Sequence, residues 1–170
     1  MHKETYYKKL RDKFLPEKLK VVFVLESPPL SGKYFYDPKG NKNEYLFKIM
    51  MKFIDYEPED KANGLKEFSK KGYLLVDSTY NQINGIKKPK DRNREIVTNI
   101  PNLVNDLEKI VKNKGVKIIP IKKNVCIILS EVLKSIGFKV LNQDIPFPDP
   151  SQVKIFFEKL NYLKRQYKLP

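Results

Sequence analysis

The sequence has a single cysteine, a single histidine and no long apolar run. One thiol, Cys126, excludes an internal disulfide framework and a cysteine-based zinc site. A reducing, intracellular setting is the expectation, with the cytoplasm its simplest form. His2 is the only imidazole, so any His–acid mechanism must draw on the first residues of the chain. The longest apolar stretches, residues 21–25 and 125–129, fall far short of a spanning helix, which takes about 20 residues. The opening MHKETYYKKL is polar and charged, unlike a secretory signal. No glycine-rich phosphate loop is present, since Ser31-Gly32-Lys33 alone is not one. Neither a repeat nor a dividing linker shows, so one domain is expected over residues 1–170.

Charge is what the chain has in excess. Lysine and arginine number 34 against 20 acidic residues, a net charge of +14. That excess suits a polyanion, most simply nucleic acid. A lysine-rich proteome or a warm-living source gives the same bias without any ligand. Apolar residues make up 41%, enough for a packed core and too much for a disordered chain.

The hydrophobic pattern alternates between two periods. Helical spacing is read over residues 4–14, 43–53, 58–69, 94–113, 123–136 and from Ser151 to about Tyr167. Short continuous apolar runs, read as doubly buried strands, fall at 20–25, 73–76, 116–119 and 138–141. Pro101 should kink or split its helix, and Gly115 should close it. Ser151 is expected to cap the last helix. Cys126 lies on an apolar helix face and reads as a small core residue. Strands separated by helices require parallel, right-handed crossovers. The expected fold is a three-layer α/β/α sandwich around a parallel sheet of about four strands, with residues 21–25 central. In such a sheet the ligand sits beyond the carboxyl ends of the strands.

Four loops occupy those ends. The first places a carboxylate, Glu26, directly after a strand, followed by Ser27, Pro28 and Pro29, which stiffen the path. Ser31 and Lys33 could serve a phosphate, and Tyr34, Phe35 and Tyr36 offer flat faces for bases. The competing arrangement has Glu26 capping a helix and the aromatics plugging the core. The second loop carries Asp77, Tyr80 and Asn81, hydrogen-bonding groups of the kind that read base edges, or that simply make turns. Lys87, Lys88, Lys90, Arg92 and Arg94 follow as a candidate edge for the nucleic-acid backbone, or as a solvated charge run. In the third, Lys122, Lys123 and Asn124 start a helix, where cations oppose the helix dipole; a bound anion would explain them, and so would surface accident. The fourth, Pro146-Phe147-Pro148 with Gln152 beyond, is rigid with an apolar tip. It could wedge into a base stack, or serve as a stiff connector with Phe147 packed inward.

Two of these loops together resemble motifs of the uracil-DNA glycosylase superfamily. Glu26-Ser27-Pro28 after the first strand is similar to the acidic form of its first motif, and Pro146-Phe147-Pro148 to the Pro-X-Pro core of its second. The likeness runs in layout from Lys20 to about Leu163. It implies a three-layer fold around four parallel strands and action on a flipped base in DNA, with no cofactor and no metal. It implies that Tyr34 or Phe35 stacks on the base, that Asp77 stands where an asparagine reads the base edge, and that Ser27 stands where the most active members have an aspartate. Leu25 replaces the leading glycine, Ile145 or Phe147 stands near the place of the motif histidine, and the cysteines of an iron–sulfur branch are absent.

Catalysis is then expected from Glu26 and Asp77. Substrate contacts are expected from Ser27, Pro28, Ser31, Lys33, Tyr34, Phe35, Tyr80, Asn81, Lys122, Asn124, Pro146, Phe147, Pro148 and Gln152. The partner is nucleic acid, DNA first, and the protein a monomer without membrane contact. A binding module without turnover is the alternative; an enzyme of a phosphorylated metabolite lacks its phosphate loop.

Overall fold

The computed structural model describes residues 3–170, so the lone imidazole, His2, lies outside the described residues. Four strands, β1 (Val21–Leu25), β2 (Tyr73–Asp77), β3 (Lys117–Pro120) and β4 (Lys139–Val140), form one parallel sheet in the order β2-β1-β3-β4. All five side chains of β1 are buried, as a run of V-V-F-V-L between two helical layers requires. Each such side chain contributes about 1.5–3 kcal/mol by leaving water.

Six helices supply the layers: α1 (Lys3–Asp12), α2 (Tyr45–Phe53), α3 (Lys61–Lys70), α4 (Pro89–Ile110), α5 (Lys123–Ser135) and α6 (Val153–Tyr167). The β1-to-β2 connection through α2 and α3 runs one way along the sheet, and those through α4 and α5 run the other. Right-handed crossovers therefore put the two sets on opposite faces. On one side Phe53 of α2 packs edge-on against Phe23 and Tyr73 and lies under Lys164 of α6. On the other, α1 is bolted to α4 by Arg11, whose guanidinium donates to both carboxylate oxygens of Asp106 at 2.5 and 3.1 Å and to the Tyr80 hydroxyl at 2.9 Å.

Most boundaries shift by one to three residues from the sequence reading, and the larger differences lie in α4 and before α6. Helix α4 begins five residues before position 94, because Pro89 sits at its first position, where a missing N–H costs nothing. It runs unbroken through the exposed Pro101 and ends at Ile110, and Gly115 lies beyond it in a turn closed by the Asn113 side chain. Ser151 does not cap α6. Its hydroxyl and the backbone N–H groups of Ser151 and Gln152 all donate to Asp149 Oδ1. Cys126 is buried in α5, its thiol donating to the Pro120 carbonyl. Among the described residues no helix is long and apolar enough to cross a membrane.

Removing one member of a buried ion pair strands the other charge, at a cost of about 3–5 kcal/mol. Asp106→Ala should lower unfolding stability by that amount in a urea titration. A change within about 0.5 kcal/mol, the usual surface range, would show that Arg11 and Asp106 do not hold α1 in place.

Candidate functional site

Strands β1 and β3 are neighbours whose crossovers leave in opposite directions, so the crevice beyond their carboxyl ends is a topological switch point. A cavity of about 320 Å³ opens there. Glu26 and the loop after β1, Asp77 at the end of β2, Lys122 after β3 and Phe147 after β4 all border it. Three widely separated loops thus bring Glu26, Asp77 and Phe147 to one crevice, with Tyr34 and Phe35 alongside.

Glu26 is buried in the cavity lining and held by two neighbours. Lys122 Nζ lies 2.5 Å from Oε2, and Asn124 Nδ2 donates to Oε1 at 2.8 Å. One of the two cations at the start of α5 thus has a reason: Lys122 pairs with a carboxylate of this protein, while Lys123 is exposed. The Lys122 backbone is strained to do so, with φ 85° and ψ 132°, a region L-residues rarely adopt. Two bonds fix it there: Lys122 N–H donates to the Ile145 carbonyl at 2.8 Å, and Cys126 N–H donates to the Lys122 carbonyl at 2.9 Å. Each Glu26 oxygen keeps a further lone pair for water or ligand.

Asp77 is treated in the opposite way. It is 3% exposed, and its Oδ2 has no hydrogen-bond partner. Burial pushes its carboxyl up to about 8, against the pull of Arg11, which is already committed to Asp106. At neutral pH Asp77 is therefore mainly an acid, able to donate as well as accept. Tyr34 Oη and Ser27 Oγ are also buried without partners and border the same cavity. Burial holds the Tyr34 phenol well above its ordinary range, so it too is neutral. Each such group costs about 1–3 kcal/mol while unsatisfied.

The aromatics do not present open faces. Tyr34, Phe35 and Tyr36 are all 4% exposed or less. The Tyr34 ring lies 4.6 Å from Tyr7, and Phe35 is enclosed by Tyr36, Phe47 and Phe68. The competing arrangement, aromatics plugging the core, describes their packing, although Tyr34 and Phe35 still border the cavity. Phe147 is half-buried, packed on the core and facing the cavity rather than projecting as a wedge.

The other expected contacts divide between the crevice and other surfaces. Pro28, Ser31 and Lys33 line the crevice, the last two at its exposed rim. Tyr80 sits behind Asp77, accepting from Arg11, and Asn81 is exposed and bonded to Glu95, so neither reaches the crevice. Gln152 stands before α6 and, like Pro146 and Pro148, does not line the cavity. Asn124 borders a neighbouring hollow with Arg92, Asn93 and Lys123, and Lys122 is shared by both. Of the basic run, Lys87, Lys88, Lys90 and Arg94 are exposed, Arg94 in a surface pair with Asp91, whereas Arg92 folds back onto the Ile86 carbonyl. No group of three or more potential metal-ligating side chains occurs among the described residues.

Sequence reasoning missed Glu44 and its buried partner Lys61, which also donates to the Tyr34 carbonyl at 2.7 Å. It also missed Arg11 and Asp106, which stand behind Asp77. The Glu44 and Lys61 positions are 17 residues apart and those of Arg11 and Asp106 are 95 apart. No local pattern links such pairs.

Lys122→Gly and Lys122→Ala both remove the ion pair, but only alanine keeps a Cβ in the strained region. The glycine variant should be the more stable of the two by about 1 kcal/mol; equal denaturation midpoints would deny the strain. For Asp77, folding raises the carboxyl from 3.8 to about 8, so the folded state holds the extra proton between those values. The contribution of Asp77 to stability should be fullest below about pH 4 and fall as pH rises to about 8, by up to about 1.4 kcal/mol per unit. Asp77→Asn should flatten that decline in melting curves across the same range.

Compared with protein-family models, curated proteins and solved structures, the chain matches none.

Proposed function

We propose that the protein binds nucleic acid and hydrolyses the N-glycosidic bond of a base turned into this crevice, with DNA the first candidate. One observation carries the reading. A carboxylate, Glu26, is held in place beside a largely apolar cavity whose lining also carries hydrogen-bonding groups that the protein leaves unsatisfied. Such a lining suits a flat, polar-edged ring with its sugar and an attacking water near the carboxylate.

In this reading Glu26 orients a water and takes its proton as the oxygen bonds to C1′. The C1′–N bond breaks with its electron pair leaving on the base. Lys122, beside Glu26, offsets the negative charge that develops. Of the two carboxyls, Glu26 is the one suited to this step, because Asp77 carries its own proton at neutral pH. The net charge of +14 and the exposed Lys87, Lys88 and Lys90 supply attraction to the backbone. The sequence resemblance to the uracil-DNA glycosylases supports the same chemistry.

A binding module without turnover is the second reading. It is favoured by the sequence of the late loop, where Ile145 or Phe147 stands near the place of the motif histidine.

Singly modified oligonucleotides, scored for abasic sites, test the proposal. At least one should yield abasic product, and Glu26→Gln should cut that turnover by about a hundredfold or more while duplex binding persists. Binding should weaken steeply with salt, and replacing Lys87, Lys88 and Lys90 together by Ala should reduce the log–log slope by up to about 2.7. Salt-sensitive binding without abasic product leaves the module. Absence of binding at low salt removes both readings.

A further inference from the structure

We propose that Lys122 is an amine nucleophile, which condenses with the aldehyde of an abasic deoxyribose held in the crevice and so cleaves the strand beside it. The inference rests on reading the crevice as a site for DNA, and it adds a second reaction that needs no base to be present.

The first support is the pairing itself. A lysine amine attacks carbonyl carbon when a positioned base takes its proton. Lys122 Nζ lies 2.5 Å from Glu26 Oε2, and both residues border the cavity. Glu26 is pinned at its other oxygen by Asn124, 2.8 Å away. The Lys122 side chain keeps 31% of its surface exposed against 8% for Glu26, so the amine is what a sugar in the crevice meets first. Lys33 also borders the cavity, but it is exposed at the rim.

The second support is what holds the amine. The Lys122 backbone stays at φ 85° between its bonds to the Ile145 carbonyl and the Cys126 N–H. Strain of this kind persists only where the surroundings enforce it, and it gathers at functional sites. A part-exposed ion pair repays little of that cost in stability. The third support is the place for a leaving group. Lys122 also borders the neighbouring hollow, together with Arg92 and Lys123, and Arg92 Nε has no hydrogen-bond partner. A phosphate that departs from a sugar beside Lys122 meets these cations, which offset its charge.

The steps balance without an oxidant or a reductant. Glu26 takes a proton from the Lys122 ammonium, and the freed lone pair bonds to C1′ of the ring-opened sugar. The carbonyl oxygen leaves as water, carrying the Glu26 proton and a second one from the nitrogen. Ammonium and aldehyde thus give a protonated imine and water. Glu26, again a carboxylate, takes the C2′ proton, and the C–H electron pair moves toward the imine. The C3′–O bond then breaks with its pair leaving on the phosphate, which receives the Glu26 proton. Water hydrolyses the imine, which returns the Lys122 ammonium and releases an unsaturated aldehyde.

A DNA duplex with a preformed abasic site tests this, because no base has to be excised first. With borohydride present to reduce the imine, the full chain should become covalently joined to the strand, and peptide mapping should place the adduct on Lys122. Without borohydride the strand should be cut on the 3′ side of the abasic site. Lys122→Arg keeps a cation beside Glu26 but is no nucleophile, so it should lose both trapping and cutting. Glu26→Gln should slow the cutting by about a hundredfold. An adduct mapped to Lys33, Lys87, Lys88 or Lys90 in place of Lys122 would overturn the inference. So would the absence of any adduct, an adduct without cutting, or trapping unchanged in Lys122→Arg. Trapping at Lys122 with no base excised from any modified oligonucleotide would defeat the hydrolytic reading and leave this one standing; excision without trapping would do the reverse.

Discussion

Register along β1 governs the site. Val24 lies opposite Val76 on one side and Pro120 on the other, and Leu25 lies opposite Asp77. The ladder continues past the strands. Ser78 and Thr79 N–H groups donate to the Leu25 and Glu26 carbonyls, and Ile121 N–H donates to Val24. Three strand ends therefore stop at the same level. Glu26, Asp77 and Lys122 meet because their backbones are locked to one strand, whose own burial on both faces leaves it no other register.

The two carboxyls of the crevice show how environment divides a single chemistry. Glu26 meets an ammonium and an amide, which hold it in one position. Asp77 meets phenols and a guanidinium already engaged elsewhere, and it keeps its proton. Separating two acids in this way lets one crevice both donate and accept at one pH. The strained Lys122 belongs to the same arrangement, because its side chain reaches Glu26 from a backbone conformation that the Ile145 contact and the start of α5 impose.

Much of the fold was legible because burial on two faces leaves a strong mark. The run V-V-F-V-L has no polar interruption, and helix spacing on either side forces parallel pairing. The start of α4 was hidden because Lys-Lys-Pro-Lys-Asp-Arg is written in the charges of a loop, while Pro89 at the first helical position needs no apolar neighbour. At the site, Glu26 and Asp77 were legible as carboxyls at strand ends. Their different states were not, because these depend on Arg11, Asp106, Lys122 and Asn124, contacts made only in three dimensions. For the aromatic run after β1, sequence left two arrangements, open faces for bases or a plug in the core. The cost of leaving three large rings in water places them in the core.

Helix α1 contributes no residue to the crevice, yet Tyr7 and Arg11 close the space behind Asp77. The helix is in effect an insulating stopper. Were it to lift away, water would reach the carboxyl from behind and the acid would ionise in the ordinary range. The seating of α1 and the polarity of the crevice are thus one property.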